Sequence, residues 1–98
     1  MEIINDVYRT QSGQYLFEFN FVNKGSYFEI DIVDQPGYGN RNSGEHPTHR
    51  LPSDRGGYRI CFGNPETINT LDKAFEWAAV WSEQTEKYIV QGIDFNNN

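Results

Sequence analysis

Cys61 is the residue of this sequence best suited to nucleophilic chemistry, and it is the only cysteine. Tyr58, Ile60 and Phe62 alternate with Arg59 and Cys61, which predicts a strand with Arg59 and Cys61 on the face opposite the apolar side chains. A guanidinium beside a thiol favours the thiolate, which is the reactive form. A lone cysteine is as often a small buried hydrophobic residue. The strand pattern therefore leaves both roles for Cys61 open.

Two histidines precede the cysteine, at His46 and His49, with Pro47 and Thr48 between them. Imidazole titrates near neutral pH, so either ring, or the carboxylate of Asp54, could act as a base or orient the thiol. Zinc binding is the alternative use of paired histidines, but Pro47 prevents a helix from aiming both rings at one point. We therefore predict no metal and no other cofactor.

The order of these residues resembles that of ubiquitin-conjugating enzymes. His46-Pro47-Thr48 and the later Gly57-Tyr58-Arg59-Ile60-Cys61-Phe62 are similar to the family's His-Pro-Asn tripeptide and its Gly-x-Ile-Cys-Leu strand. The family carries its modifier as a thioester on that cysteine, after an antiparallel meander and before a helix. The resemblance extends from Tyr15 to Val90 in the order of elements, and it is closest to the divergent, minimal versions found in bacteria.

The resemblance implies that Cys61 forms the thioester, with a ubiquitin-like modifier and its activating enzyme as protein partners. Thr48 stands where the family has asparagine, and the stretch from His46 to Cys61 is longer than in the eukaryotic enzymes. The donor for the oxyanion therefore stays open between Thr48, Asn64 and a backbone N–H near Gly63. The candidate catalytic residues are Cys61, His46, His49, Thr48 and Asp54.

Charge is distributed unevenly along the chain. The net charge is −6, yet the window from Gln35 to Ile60 contains four of the five arginines and only two acids. A basic excess is the usual footprint of nucleic-acid binding, so nucleic acid is not an expected partner of this acidic chain. The residues predicted to contact a protein partner are Arg50, Arg55, Arg59 and Asn64.

Polarity and cysteine content place the chain in a broad class. Hydrophobic residues make up 37% of the sequence and the mean hydropathy is −0.73, which argues against a membrane-spanning helix. A single cysteine cannot form an internal disulfide and fits a reducing compartment. We expect no membrane partner and a cytoplasmic location.

The pattern of apolar residues predicts an α+β fold in a single domain, residues 1–98. Period-two alternation predicts a four-stranded antiparallel meander with strands at Ile3–Arg9, Tyr15–Val22, Tyr27–Val33 and Tyr58–Phe62. Helical spacing predicts one long C-terminal helix, Leu71–Gln91, capped by Asn69 and packed across the sheet as a two-layer sandwich.

The same pattern predicts how the two faces of the sheet are used. One face is expected to be apolar, and the other wet and acidic with Glu18, Glu29 and Asp31. Residues 35–57, rich in glycine and proline, are predicted to form a long functional loop without a helix, folded over Cys61. Residues 93–98 are predicted to be a frayed tail. The predicted core consists of Phe17, Phe19, Phe21, Phe28, Ile30, Ile32, Ile60, Leu71, Phe75, Ala78 and Trp81.

Two other classes of function fit the same sequence. A small, acidic, aromatic-rich protein is typical of non-enzymatic inhibitor or adaptor modules of phages and mobile elements, which bind a protein partner. A cysteine hydrolase could pair Cys61 with His46 or His49, although the cysteine does not lie at a helix N-terminus, the usual activating position. The accessibility of Cys61 separates the two enzymatic hypotheses from the adaptor, which makes no demand on the thiol.

Overall fold

A computed structural model describes residues 2–95 of the chain. Its strands are β1 (Ile3–Arg9), β2 (Leu16–Asn23), β3 (Phe28–Asp34), β4 (Arg50–Pro52) and β5 (Tyr58–Ile60). Its helices are α1 (Glu45–Thr48) and α2 (Leu71–Gln91), with a single turn of 3-10 helix at Pro65–Thr67 between β5 and α2. The architecture is α+β, a five-stranded antiparallel sheet with one long C-terminal helix.

The order of the strands in the sheet is β1-β2-β3-β5-β4, so the prediction of four strands is short by one. The missed strand, β4, has three residues and ends at Pro52, too short for an alternating pattern to show. It pairs with β5 through a tight hairpin, in which the Ser53 N–H donates to the Gly57 carbonyl oxygen (2.9 Å). The predicted strand Tyr58–Phe62 is correspondingly shorter, because β5 ends at Ile60.

The core lies between one face of the sheet and α2. Phe17 and Phe19 meet the edge of the Trp81 indole, with ring centroids 5.8 and 6.0 Å apart, and Phe21 meets Phe75 at 4.7 Å. Most of the predicted core is buried, while Phe28, Ile32, Leu71 and Phe75 pack against it only partly buried. The sequence analysis missed Val22, Tyr38, Ile68, Ala74, Tyr88 and Phe95, which are buried as well.

The prediction of α2 is confirmed at both ends, although a different residue caps it. The Thr70 hydroxyl, rather than Asn69, accepts the N–H of Lys73 (3.1 Å). Gly92 ends the helix with φ of 72°, a left-handed conformation that glycine adopts without steric cost. Within residues 2–95, no helix combines the length and the apolar character that crossing a bilayer requires.

The segment 35–57 is ordered structure, and the expectation that it contains no helix is wrong. Glu45–Thr48 forms the single turn α1, which Pro47 permits because it occupies the first turn, where its missing N–H has no partner to lose. The segment is also attached to α2. The Trp81 indole N–H donates to the Thr48 carbonyl oxygen (3.2 Å) and the Tyr88 hydroxyl to the Asn42 carbonyl oxygen (2.7 Å).

The face of the sheet opposite α2 is not the wet acidic surface that alternation predicts. Glu29 and Asp31 are buried there, because the β4–β5 hairpin folds back and places Arg55 over them. The guanidinium donates to Asp31 at 2.6 and 3.0 Å and to Glu29 at 2.5 Å, and the Ser53 hydroxyl donates to Asp31 at 2.8 Å. We call these four residues the ion cluster.

The end of the chain departs from the predicted fraying at 93–98. Phe95 is buried and packs against the core. Residues 96–98 of the predicted tail lie outside the described residues. Phe95 is therefore part of the packed structure, and its ring lies next to that of His49 in the candidate site.

Candidate functional site

Cys61 lies immediately after β5, where the chain leaves the sheet. Its N–H donates to the His49 carbonyl oxygen (2.9 Å), so β4–β5 pairing continues for one residue beyond the strands. The side chain is half-buried, and Cys61 is a free thiol. Among the described residues, its S–H has one weak hydrogen-bond partner, the carbonyl oxygen of Phe62 at 4.0 Å.

The orientation predicted for Cys61 by strand alternation stays a prediction. β5 ends at Ile60, and Cys61 lines one cleft with Ile60 and Phe62 and another with Leu51, the ladder partner of Arg59. No hydrogen bond or ion pair joins Arg59 to another side chain within the described part of the chain. The predicted pairing of thiol and guanidinium is therefore not what positions Cys61.

His49 is joined to Cys61 through the backbone, since its carbonyl oxygen accepts the Cys61 N–H. It has φ of 53°, the only positive φ of a non-glycine residue in the range 2–95, and this turn after α1 directs the chain into β4. Its ring stacks on Phe95, with centroids 4.6 Å apart and planes 13° from parallel. Burial first, and then the nearby His46, lower the pKa of His49, while Asp94 opposes the shift. His49 is consequently a neutral imidazole at neutral pH, able to accept a proton.

Two clefts meet at Cys61 and His49, and both residues line both of them. The imidazole cleft, about 310 Å³, has Glu45, His46, Arg50 and Leu51 as its other lining residues. The aromatic cleft, about 350 Å³, is bounded by α2 and by Phe95. Its other lining residues are Ile60, Phe62, Gly63, Trp77, Val80, Trp81, Gln84 and Phe95.

The structure brings three of the five candidate catalytic residues together: Cys61, His46 and His49. The two imidazole rings lie with centroids 6.4 Å apart. Thr48 is fully buried, and its hydroxyl donates to the Gly44 carbonyl oxygen (2.7 Å) and accepts from Arg50 (3.2 Å), so it lines neither cleft. Asp54 is an exposed residue of the β4–β5 turn and lines neither cleft.

The residues predicted to bind a partner are mostly committed within the fold. Arg55 belongs to the ion cluster, and its hydrogen bonds, foremost to Asp31, raise the pKa of its guanidinium. Asn64 accepts the N–H of Glu66 (3.1 Å) and caps the 3-10 turn. Arg59 is half-buried opposite Asp31 in the ladder of β3 and β5.

Arg50 is the most heavily engaged of the four. Its guanidinium lies 4.1 Å from the ring centre of Tyr58 and 4.9 Å from that of Tyr38. It also donates to the side chain of Gln35 (3.1 Å) and the carbonyl oxygen of Ser43 (3.0 Å). Arg50 therefore forms a wall of the imidazole cleft and holds the segment 35–50 in place, as cation–π and hydrogen-bonding contacts of arginine commonly do.

Sequence reasoning missed the aromatic wall of the site. Trp77, Val80 and Gln84 follow one another at helical spacing on α2, beside the stripe that faces the core, so a wider reading of the helical period could have found them. Phe95 carries no such signal, because it lies beyond the helix end. Residues 2–95 contain no group of three or more His, Cys, Asp or Glu side chains arranged to hold a metal ion.

No protein-family model matches this chain, and no curated protein or solved structure matches it. The resemblance to ubiquitin-conjugating enzymes therefore rests on the motif residues and the order of elements, and it stays an expectation.

Proposed function

We propose that this protein is a conjugating-enzyme-like transferase that carries an acyl group as a thioester on Cys61. The observation that supports the proposal most directly is the junction of the two clefts. A half-buried free thiol lines both, together with a neutral imidazole from His49. Two openings on one thiol allow an acyl donor and an acceptor amine to reach it from different sides.

The proposed reaction has two steps. In the first, the Cys61 thiolate attacks the carbonyl carbon of the donor thioester, a new C–S bond forms, and the donor's sulfur leaves as a thiolate. In the second, an amine attacks the Cys61 thioester, the amide forms, and the Cys61 sulfur leaves. The amine proton passes to His49, with His46 as the neighbouring ring that can take it onward.

Of the three candidate donors for the oxyanion, one lines a cleft together with Cys61. The Thr48 hydroxyl is used inside the fold, and Asn64 lines neither cleft. The backbone of Gly63 lines the aromatic cleft two residues after Cys61. Its N–H is the group we propose for stabilising the tetrahedral intermediate.

The chemistry of the two clefts suggests how they are divided. The aromatic cleft can hold apolar groups next to the acyl carbonyl, because Phe62, Trp77 and Trp81 line it. The imidazole cleft, with Glu45 at its rim, can attract a protonated lysine and deprotonate it. We propose that the acyl donor enters from the aromatic side and the amine from the imidazole side.

The direct test is to incubate the protein with an activating enzyme and a ubiquitin-like protein and to look for a reductant-sensitive adduct. We expect the adduct with the parent protein, a slower and reductant-resistant oxyester with Cys61→Ser, and none with Cys61→Ala. An adduct that persists in Cys61→Ala would place the chemistry on another residue.

A second test needs no knowledge of the modifier. Because the chain has one cysteine, modification of the native protein by a small maleimide reports on Cys61 alone. We expect a rate within about tenfold of that of the urea-unfolded protein at neutral pH. An unreactive thiol in the native state would remove the proposal, and the adaptor would then be the better hypothesis.

The role of His49 is tested with asparagine, which tolerates the left-handed backbone conformation found there. We expect His49→Asn to slow transfer from a preformed Cys61 thioester to free lysine by at least about 100-fold, with partial rescue by added imidazole. His46→Asn is the matched control, and we expect a smaller effect. Discharge at one rate with and without lysine would indicate a hydrolase instead.

The adaptor hypothesis retains one supporting observation. Trp77 and Val80 are exposed on α2 and, with Lys73 and Glu76, line a shallow depression of about 180 Å³. An exposed tryptophan with flanking charges is typical of a protein-binding surface. The acidic strand face is a weaker argument for it, since Glu29 and Asp31 are buried and paired with Arg55.

A further inference from the structure

The free edge of β1 is the longest strand edge that the described residues leave without a neighbour. β1 has seven residues, pairs only with β2, and contains neither proline nor lysine. The opposite edge of the sheet, β4, has three residues and ends with Pro52. Natural sheets usually protect a long edge with proline, charged side chains, a bulge or a covering element. Of these, β1 has charged side chains alone within residues 2–95, namely Asp6 on the face toward α2 and Arg9 at the strand end.

The backbone groups that point outward from β1 can be identified. The Glu2 carbonyl oxygen accepts the Asn23 N–H (3.0 Å) and the Thr10 N–H donates to the Tyr15 carbonyl oxygen (3.0 Å). Even-numbered residues of β1 therefore bond to β2, and the odd-numbered ones present N–H and C=O to the open edge. Consistently, the N–H of an odd-numbered residue, Val7, donates to the Asp6 carboxylate (2.8 Å) and not to β2.

Apolar side chains accompany these groups. Ile3 and Val7 are 47% and 55% exposed and lie on the same face of β1, opposite the face that contacts α2. The strand is also held rigidly. The Tyr8 hydroxyl donates to Glu83 of α2 (2.5 Å), and this hydrogen bond raises the pKa of Tyr8 to about 12. A rigid edge loses little conformational entropy when a new strand pairs with it.

We propose that this edge pairs with β1 of a second copy of the chain, so that the two sheets become one across a two-fold axis. With the axis at Asn5, about six inter-strand hydrogen bonds form. Ile3 of each copy lies opposite Val7 of the other, which covers all four exposed apolar side chains. Asp6 then lies opposite Ile4 of the second copy.

The pairing pattern favours a second copy over an unrelated strand. The same short sequence supplies both apolar pairs only because Ile3 and Val7 are equidistant from Asn5. An axis one residue further along, at Asp6, would set two carboxylates against each other, which is destabilising. Asp6 therefore disfavours that register. Its carboxylate also accepts the Val7 N–H, and this hydrogen bond weakens the association of the two copies.

Sedimentation equilibrium of the full chain, from about 1 μM to about 500 μM, tests the proposal. We expect the average mass to rise with concentration from 11.4 kDa toward twice that value. Val7→Pro removes an outward N–H that the sheet does not use, so the variant should fold. We expect it to raise the dimer dissociation constant by at least about tenfold. The two-fold axis places residue 7 twice in the interface, so each hydrogen bond lost by the substitution is lost twice.

Matched variants separate the edge from general hydrophobicity. Ile3 and Leu16 are both 47% exposed, but Leu16 belongs to β2. Ile3→Lys should weaken the dimer and Leu16→Lys should leave it unchanged. Asp6→Ala frees the Val7 N–H and should tighten the dimer by about threefold or more. A protein that stays monomeric throughout, or a dimer that Val7→Pro does not weaken, overturns the proposal.

Discussion

The ion cluster and the thiol clefts are two polar regions built on either side of the same hairpin, and they have opposite characters. In the ion cluster, the donors of Arg55 and Ser53 point at two buried carboxylates. At the clefts, His46, His49 and Cys61 face open space, and the sulfur has only a weak contact. In this protein, polar side chains with complementary neighbours are used for stability. Those without such neighbours stay accessible to a ligand.

The difference follows from what each region contributes to stability. A buried charge without a partner is costly, so the ion cluster has to be complete for the hairpin to fold over the sheet. A thiol and a neutral imidazole carry no such requirement, and they can remain half-buried beside a cleft at little cost. The ion cluster therefore holds the hairpin in place, and the side chains at the clefts can stay accessible at little cost in stability.

Substitution of Trp81 is expected to have the largest effect on the free energy of unfolding. Trp81 lines the aromatic cleft and is only 3% exposed. We expect Trp81→Ala to lower the free energy of unfolding by about 3–5 kcal/mol, as a large core truncation. Trp77 lies on the same helix and is 43% exposed, so Trp77→Ala should cost about 1 kcal/mol or less. Urea unfolding measures both, and equal midpoints for parent and Trp81→Ala would show that Trp81 is not part of the core.

Removing the cation breaks the ion cluster. We expect Arg55→Ala to cost about 2–4 kcal/mol of unfolding free energy, because Glu29 and Asp31 stay buried without their partner. Arg9→Ala is the control, since the Arg9 side chain is exposed and, among residues 2–95, donates only to the Gly13 carbonyl oxygen. Urea unfolding compares the variants. If Arg55→Ala is as stable as Arg9→Ala, the cluster does not hold the hairpin.

Lowering the pH is expected to have the smallest of the three effects on the free energy of unfolding. The pKa of His49 in the folded protein lies below its ordinary value, so between those two pKa values the unfolded chain binds more protons. Stability therefore rises with pH up to about 6.5 and is constant above it, as far as this group is concerned. We expect the parent to lose more stability than His49→Asn between pH 7 and pH 5.

The measurement is urea unfolding of both proteins across that pH range, so that the titrations common to the two cancel. His46 and Asp94 are the titratable neighbours whose influence on His49 the comparison includes. Equal losses in the two proteins would mean that burial of the His49 ring does not affect its protonation.

The regular elements are where local sequence decided the outcome. Period two in Phe17, Phe19 and Phe21 and the helical spacing from Leu71 to Gln91 are strong signals, because each repeats over several turns or pleats. The structure confirms an antiparallel sheet and one long C-terminal helix. The α+β class was therefore predictable from the pattern of apolar residues alone.

The candidate site was predictable only in part. The residue types and order of His46, His49 and Cys61 were sufficient to nominate them, and the fold places them around one cleft. Thr48 and Asn64 could not be judged in the same way, because their hydrogen bonds are to backbone groups that only the folded chain positions. A side chain's partners are a property of three-dimensional neighbours, and sequence spacing carries little information about them.

The sequence by itself determined the three long strands, the long helix and the single thiol with its two histidines, because each depends on local periodicity or on residue type. Only the tertiary structure decided which charges are satisfied and which groups face a cleft. Arg55 reaches Glu29 and Asp31 across more than twenty positions of sequence, and Phe95 reaches His49 from beyond the helix. Such contacts depend on how the hairpin folds back over the sheet, which is settled by the free energy of the whole fold and by no single segment.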